Sequence, residues 1–485
     1  MSAFGYSLRM DSMGRIDYAI FDFESAAERN PANLTKLDNA YFRLSLGMDN
    51  AGLTMTDKWD DIQTLQEYGT RENEYAYSNM PITVNAFYKM GSLTLGLKYD
   101  MPKETYTYDY LADYKNRDQE ADYYTYQDES YELASAINDL CLGVGYQMGE
   151  IGLGLNFGQI KDVTTFSLST IDREDRPWWG VPDDNSEEME FEITADNTYY
   201  GLGAVYPTGK MVLELAYKMA SWTAEGKTTK AVWNGVADDV NDHDNFPIIS
   251  ATLDGTDINL KGTYKYSDNI DLVVGLDMLS YEGEADIEFT TIPGWTVGDA
   301  TLTDNNVIFG IGFHEDAFKF GLEMNYNMFT VEANGYTLYD PILLTTVKVM
   351  EMTGDMTMVV FKVGAEFQAT DKLGLRMGAI KYAPLSATGG IKNLDTDGSV
   401  DSTQDITLEP ANEGNIILAS AGVEYKFNNQ VTLEYGYIGG HYLYNQNTLT
   451  LLTDLGTYGG ALGTQTGLFT PMSFTKHAFS IKYSF

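Results

Sequence analysis

Carboxylates dominate the reactive side chains of this chain, with 71 Asp and Glu against 31 Lys and Arg and a net charge of −40. Asp395 and Asp397 beside Gly398, with Asp401 following, offer the hard oxygen ligands that Ca²⁺ prefers; so do Asp238, Asp239, Asp242 and Asp244 around His243. The Asp-x-Asp-Gly fragment lacks the rest of an EF-hand loop, including its closing Glu, and a solvated acidic loop has the same composition. No resident cofactor is expected. His243, His314, His441 and His477 are scattered without ligand spacing, and Cys141, the single cysteine, forms no internal disulfide. The chain carries no Walker A sequence, no His-Glu-x-x-His and no Gly-x-Ser-x-Gly, and is not expected to be an enzyme. Its acidity excludes nucleic acid as a partner.

What must position these groups is a long series of strands. The chain ends Ala478-Phe479-Ser480-Ile481-Lys482-Tyr483-Ser484-Phe485, with aromatic and aliphatic residues on one face and polar residues on the other. The same alternation places Phe318, Phe320, Leu322, Met324, Tyr326 and Met328 opposite Lys319, Gly321, Glu323, Asn325 and Asn327. Eleven alternating residues are long for a soluble strand, whereas a tilted membrane strand needs about 9–11. The chain has no run of about 18 apolar residues for a helical span, but a barrel, apolar only at alternate positions, needs none. Its mean hydropathy of −0.26 is compatible with that architecture.

Connections alternate in length. Short turns lie at 89–92, 147–150, 206–210, 266–269, 314–317, 369–372 and 427–430, with long polar stretches between them near 58–80, 101–131, 167–190, 223–254, 284–300, 331–352, 385–413 and 444–472. This is the pattern of an outer-membrane barrel, with periplasmic turns and extracellular loops. It predicts an all-β, transmembrane, antiparallel up-and-down barrel of about 16 strands. The count spans 14 to 18, depending on the segments near 343–352 and 402–409. A closing aromatic residue places it in the outer membrane of a Gram-negative-type bacterium, among membrane lipids and lipopolysaccharide. No signal peptide precedes the mature-looking sequence, and Met1 is expected to replace one removed by processing.

With Phe485 outward, Arg43, Lys98, Lys319, Glu323, Lys362, Glu366, Arg376 and Glu434 line the lumen. Two readings stand side by side: a basic interior that orients an anionic headgroup, or a ladder of salt bridges that stiffens a large barrel. Cys141, on the parity of Gly143 and Gly145, is a lumen filler. Tyr108 and Tyr110 in the stretch 101–131, with Trp178 and Trp179 in the next, form an aromatic rim that either captures an apolar substrate or packs the loops.

Residues 1–39 stand apart from the barrel pattern of 40–485. They contain Ser12-Met13-Gly14, an Ala-containing apolar stretch, an acidic residue, Ser25-Ala26 and Asn30-Pro31-Ala32. This order resembles the amino-terminal plug of the FadL-type outer-membrane transporters and the related PorV-type barrels. Asn33 stands where glycine is usual, and later glycines of the upstream motif are replaced around Arg15–Asp17. The resemblance implies passive uptake of hydrophobic or amphipathic, fatty-acid-like molecules, gated by a lumen plug in which Ser12, Gly14, Asn30, Pro31 and Ala32 form the gate. FadL-type barrels usually have 14 strands. Two alternatives remain open: a diffusion porin for small hydrophilic solutes, and a PorV-like partner in protein export or surface attachment. Inward apolar residues (Phe87, Val205, Val212, Val273 and Leu279) favour the hydrophobic route over a porin.

Overall fold

The computed structural model describes residues 8–60, 68–117, 122–175, 183–238, 240, 248–288, 295–333, 337–340, 345–348, 350–394, 400–408, 416–442 and 472–485. Its wall has sixteen antiparallel strands. They are β1 (Tyr41–Asp60), β2 (Tyr68–Asn79 and Ile82–Met90), β3 (Leu93–Met101 and Lys103–Arg117), β4 (Asp122–Met148), β5 (Ile151–Asp175) and β6 (Asp183–Thr208). There follow β7 (Met211–Trp233), β8 (Ile248–Lys265), β9 (Ile270–Glu288), β10 (Trp295–His314) and β11 (Phe318–Ala333). The ring ends with β12 (Met350–Gln368), β13 (Leu373–Leu394), β14 (Val400–Leu408 and Ile416–Lys426), β15 (Val431–Tyr442) and β16 (Met472–Ser484).

Each strand pairs with its sequence neighbours, and β1 closes the ring on β16 from Tyr41 opposite Ser484 to Gly52 opposite Ser473. Closure leaves no unpaired edge, as a sheet in hydrocarbon requires. All seven short turns lie where the sequence places them. Three have two residues and begin with Gly91, Gly149 or Gly209 at φ +57 to +60°, which the primed hairpin turns demand.

The parity read from the last strand holds. Leu44, Leu142, Leu155, Leu213, Phe361 and Ile481 are exposed on the outer face, while Arg43, Asn156, Glu214, Lys362 and Ser480 beside them are buried inside. Outward Tyr206, Tyr264, Phe318, Phe367, Tyr425 and Tyr483 gather near the short turns, as in the interfacial girdle of an outer-membrane barrel. An apolar band of this extent needs lipid around it.

Two differences from the sequence reading have physical causes. Much of the polar sequence at 101–131, 167–190 and 223–254 is continuing strand, and β4 to β7 run 27, 25, 26 and 23 residues. Beyond the bilayer both faces meet water, so these segments lose the apolar half of the alternation and look like loops. Tyr108 and Tyr110 accordingly lie within β3, not in a loop. The segment Thr345–Lys348 forms a small hairpin with Thr337–Asp340, and Val400–Leu408 extends β14, so neither adds a strand to the wall.

One further irregularity concerns β2 and β3. Their register is unbroken from Asn79 opposite Glu104 to Ile82 opposite Met101, which sets Pro81 against Pro102. Neither proline has an N–H to give, so the ladder is locally short of donors. Their carbonyls still accept, from Gly47 at 2.8 Å and Ile137 at 3.1 Å.

Candidate functional site

Residues 8–39 fold inside the ring, in its short-turn half. A four-residue helix, α1 (Leu8–Asp11), leads to a bend at Gly14 and Arg15, with φ +69° and +57°. Arg15 occupies a left-handed conformation that glycine adopts freely, at one of the positions where the resembling family keeps glycines. A second helix, α2 (Phe23–Arg29), is capped by Asp22, whose side chain accepts from the Ser25 N–H. Asn30 then caps the 3₁₀ turn Pro31–Lys36, its Oδ1 accepting from the Ala32 N–H at 3.0 Å. Such caps contribute about 1 kcal/mol each. Pro31 takes the first helical position, where its missing N–H costs nothing.

The segment lies on bare backbone. A methyl group built on Gly145 would stand 2.7 Å from Leu34 Cβ, one on Gly275 would stand 2.7 Å from the Tyr18 ring, and one on Gly321 would stand 2.8 Å from Ile16. At Gly154, Gly364 and Gly378 it would meet the segment's own backbone, at Pro31–Ala32, Met13 and Gly14 respectively. Inward glycines are what allow the segment to seat this closely.

Contacts run around the whole ring. On β1 and β2, Arg43 (2.7 Å) and Asn85 (3.2 Å) hold Glu24, and on β3 Lys98 holds Glu28 (3.1 Å). Leu34 covers Gly145 of β4, and Pro31–Ala32 covers Gly154 of β5. Asn30 Nδ2 donates to the carbonyls of Ala204 on β6 (3.1 Å) and Leu215 on β7 (3.2 Å). Tyr18 hydroxyl accepts from Asn259 on β8 (2.7 Å) and donates to Asp277 on β9 (2.6 Å). Ala19 lies on Gly310 of β10, and the Tyr18 and Ala19 N–H groups both donate to Glu323 on β11, at 2.5 and 2.7 Å. Arg9 pairs with Glu366 on β12 (2.7 Å), and Gly14 abuts Gly378 on β13 and donates to Ser420 on β14 (2.9 Å). Ser12 abuts Gly436 of β15, and Asp11 pairs with Lys476 of β16 at 3.0 Å. No strand of the wall is left untouched. Burial opposes ionisation of Asp11, but Lys476 and Arg15 outweigh it and hold the carboxyl below its usual range.

The charged lumen residues named from sequence all face inward, and all but Lys98 pair with one another. Register sets Glu323 opposite Lys362, Lys319 opposite Glu366, and Glu366 opposite Arg376. Arg376 reaches Glu366 (3.0 Å), Glu434 (3.2 Å) and Glu424, while Arg43 joins Glu434 (2.9 Å) to Glu24. Lys98 also meets Asp100 at 2.8 Å, and Lys362 meets Asp17 and Glu323 at 3.7 and 3.6 Å. The ladder of salt bridges is therefore real, and it extends into the segment through Arg9, Asp17, Glu24 and Glu28.

Of the sequence-named gate residues, Ser12, Asn30, Pro31 and Ala32 are buried against the wall and Gly14 forms the bend. Asn33, beside the motif, ties the segment to the wall: Nδ2 donates to Ala26 O at 3.1 Å and to Glu214 at 2.8 Å. Sequence reasoning did not single out Tyr18, Glu24 or Glu28, and it marked Asn33 and Asp17 only as departures from a motif, without their partners. Only the i,i+4 spacing of Glu24 and Glu28 gives any hint. Tyr108 stacks in a ladder across β2 to β5 with Tyr75 (4.6 Å), Tyr131 (5.6 Å) and, beyond it, Phe166. Tyr110 lies opposite Asn73 and Glu129. Trp178, Trp179, Asp395 and Asp397 lie outside the described residues, among which no cluster is placed to hold a metal.

Two spaces border the segment. A cavity of about 110 Å³ lies between it and β16 and β1 to β6, lined among others by Leu34, Phe87, Lys98, Asp139, Tyr199 and Lys476. A wider opening of about 1130 Å³ lies at the short-turn end, beside Phe21, Phe23, Lys426 and Lys482. Elsewhere on the inner wall, Val360, Ile380, Leu418 and Ile438 form a buried apolar cluster across β12 to β15.

No protein-family model and no curated protein matches the chain. Solved structures resemble it in overall architecture. They include a Pseudomonas aeruginosa FadL homologue (12% identity, TM-score 0.43, covering 99% of this chain and 98% of that one). The P. putida toluene transporter TodX gives 12%, 0.43 and 99% of each chain. The Ralstonia pickettii toluene transporter TbuX gives 12%, 0.40, and 99% and 98%.

Proposed function

We propose that this chain is a FadL-type outer-membrane channel through which hydrophobic or amphipathic small molecules pass passively, without chemistry, and that residues 8–39 are its gate. One observation carries the reading: a segment outside the wall touches every strand of it and occupies a lumen that, in a barrel of this size, would otherwise hold water. The apolar linings support the substrate class. Phe87 packs at 4.9 Å on Phe23 of the segment, and Val205, Val273, Ile308 and the cluster around Ile380 present apolar surface inward, which an aqueous pore does not need. The class extends to the fatty-acid-like molecules that the plug motif implies. Membrane lipid lies against the outer band and lipopolysaccharide around its upper rim.

The test uses cells whose outer membrane excludes both kinds of solute. Expression of the full-length protein should speed entry of the hydrophobic dye N-phenyl-1-naphthylamine and leave entry of the hydrophilic nitrocefin unchanged. Faster nitrocefin entry would instead indicate a diffusion porin. No change in either would indicate a partner protein that transports nothing.

A further inference from the structure

The cavity between the segment and the wall is lined by apolar Ala27, Leu34 and Phe87, by the acceptors Asn85, Asn156 and Asp139, and by the cations Lys98 and Lys476. Asn85 and Asn156, 5% and 8% exposed, both line it, and each leaves Oδ1 without a hydrogen-bond partner. Asn85 is oriented by its Nδ2, which donates to Glu24 at 3.2 Å. Asp139 lines the same space and likewise leaves its buried Oδ1 without a partner. Lys98 is held by Glu28 at 3.1 Å and Asp100 at 2.8 Å. Asp100 stands directly opposite Asp139 in the β3–β4 register. Lys476, the other cation lining the cavity, is paired with Asp11 at 3.0 Å, and Lys218 of β7 with Asp257 at 3.4 Å. Lys98 is thus already engaged by two carboxylates, and the Asp139 carboxylate across the register from Asp100 keeps a buried oxygen without a donor.

Buried acceptors without donors are costly, and a ligand that supplies donors removes that cost. A carboxylate would add further acceptors and a like charge beside three others. We propose that this cavity binds amphipathic molecules by the head group and favours one that donates hydrogen bonds, ammonium ahead of hydroxyl and hydroxyl ahead of carboxylate. The inference rests on reading the barrel as a passage for amphipathic molecules, and it names which of them the lumen selects.

Octylammonium, octanol and octanoate share a chain and differ only at the head. Their binding to the full-length protein in nanodiscs, measured by calorimetry against empty nanodiscs at pH 7, should place octylammonium about tenfold or more ahead of octanoate, with octanol between. Asp139→Asn should narrow the gap between the two ions and leave octanol nearly unchanged. Octanoate binding as tightly as octylammonium would overturn the head-group inference while leaving the passage intact. If none of the three bound above the empty-nanodisc level, the amphiphile passage itself would be overturned.

Discussion

A barrel lacking residues 1–39 should conduct as a steady open channel, whereas the full-length protein should be nearly silent in a planar bilayer. The first wall pairing begins at Tyr41 opposite Ser484, so the truncated chain keeps every strand and every strand pairing. What it loses is the segment that lies between the inner faces of those strands, including the buried group Met10, Met13, Ile16 and Ile20 and the packing of Leu34 and Leu37 on Phe87. Sixteen strands enclose a lumen wide enough for water when nothing else fills it. Folding of the truncated chain is checked by heat-modifiable gel mobility. A folded, truncated barrel that stayed silent would mean that something other than this segment closes the lumen.

The second large effect comes from the wall alone. Gly364→Leu on β12 leaves the segment's sequence intact but places a side chain where the Met13 carbonyl and the Ile16 side chain now lie. Met13 cannot readily yield, because Gly14 is held by Ser420 and rests on Gly378. Overpacking of this kind costs about 1–3 kcal/mol, so the open fraction should rise roughly 5- to 150-fold. Gly354→Leu on the same strand is the control, since a methyl group there meets nothing within 4 Å. Single-channel open time reads both. Equal behaviour of the two variants would show that the segment does not depend on the bare track beneath it.

The wall was largely legible in the amino-acid order because lipid imposes a strict two-residue period. Phe479, Ile481 and Tyr483 define the outward parity, and the seven short turns join fourteen strands, which the opening and closing strands bring to sixteen. Legibility stopped where lipid stops: Tyr106, Thr107 and Tyr108 alternate like any strand, but with water on both sides nothing in their polarity distinguishes them from a loop. The inward charges were visible one by one, yet their pairing was not, because Arg43 meets Glu434 only once β1 has closed on β16 and brought β15 within reach. Asn30-Pro31-Ala32 stood out as a motif. The roles of Tyr18 and Asn33 were not visible, since their partners Asp277 and Glu214 lie about 260 and 180 residues further along the chain.

Whether the segment must move for molecules to pass is tested most directly by tying it down. Ala19 Cβ lies 3.2 Å from a methyl group built on Gly310, close to the separation of bridged cysteines. Ala19→Cys with Gly310→Cys, in a Cys141→Ser background so that no other thiol competes, would fix the segment to β10. Dye entry should fall to the level of cells without the protein when this bridge is oxidised and should recover on reduction. Equal entry in the oxidised and reduced forms would contradict the account, because it would show that molecules pass with the segment held in place.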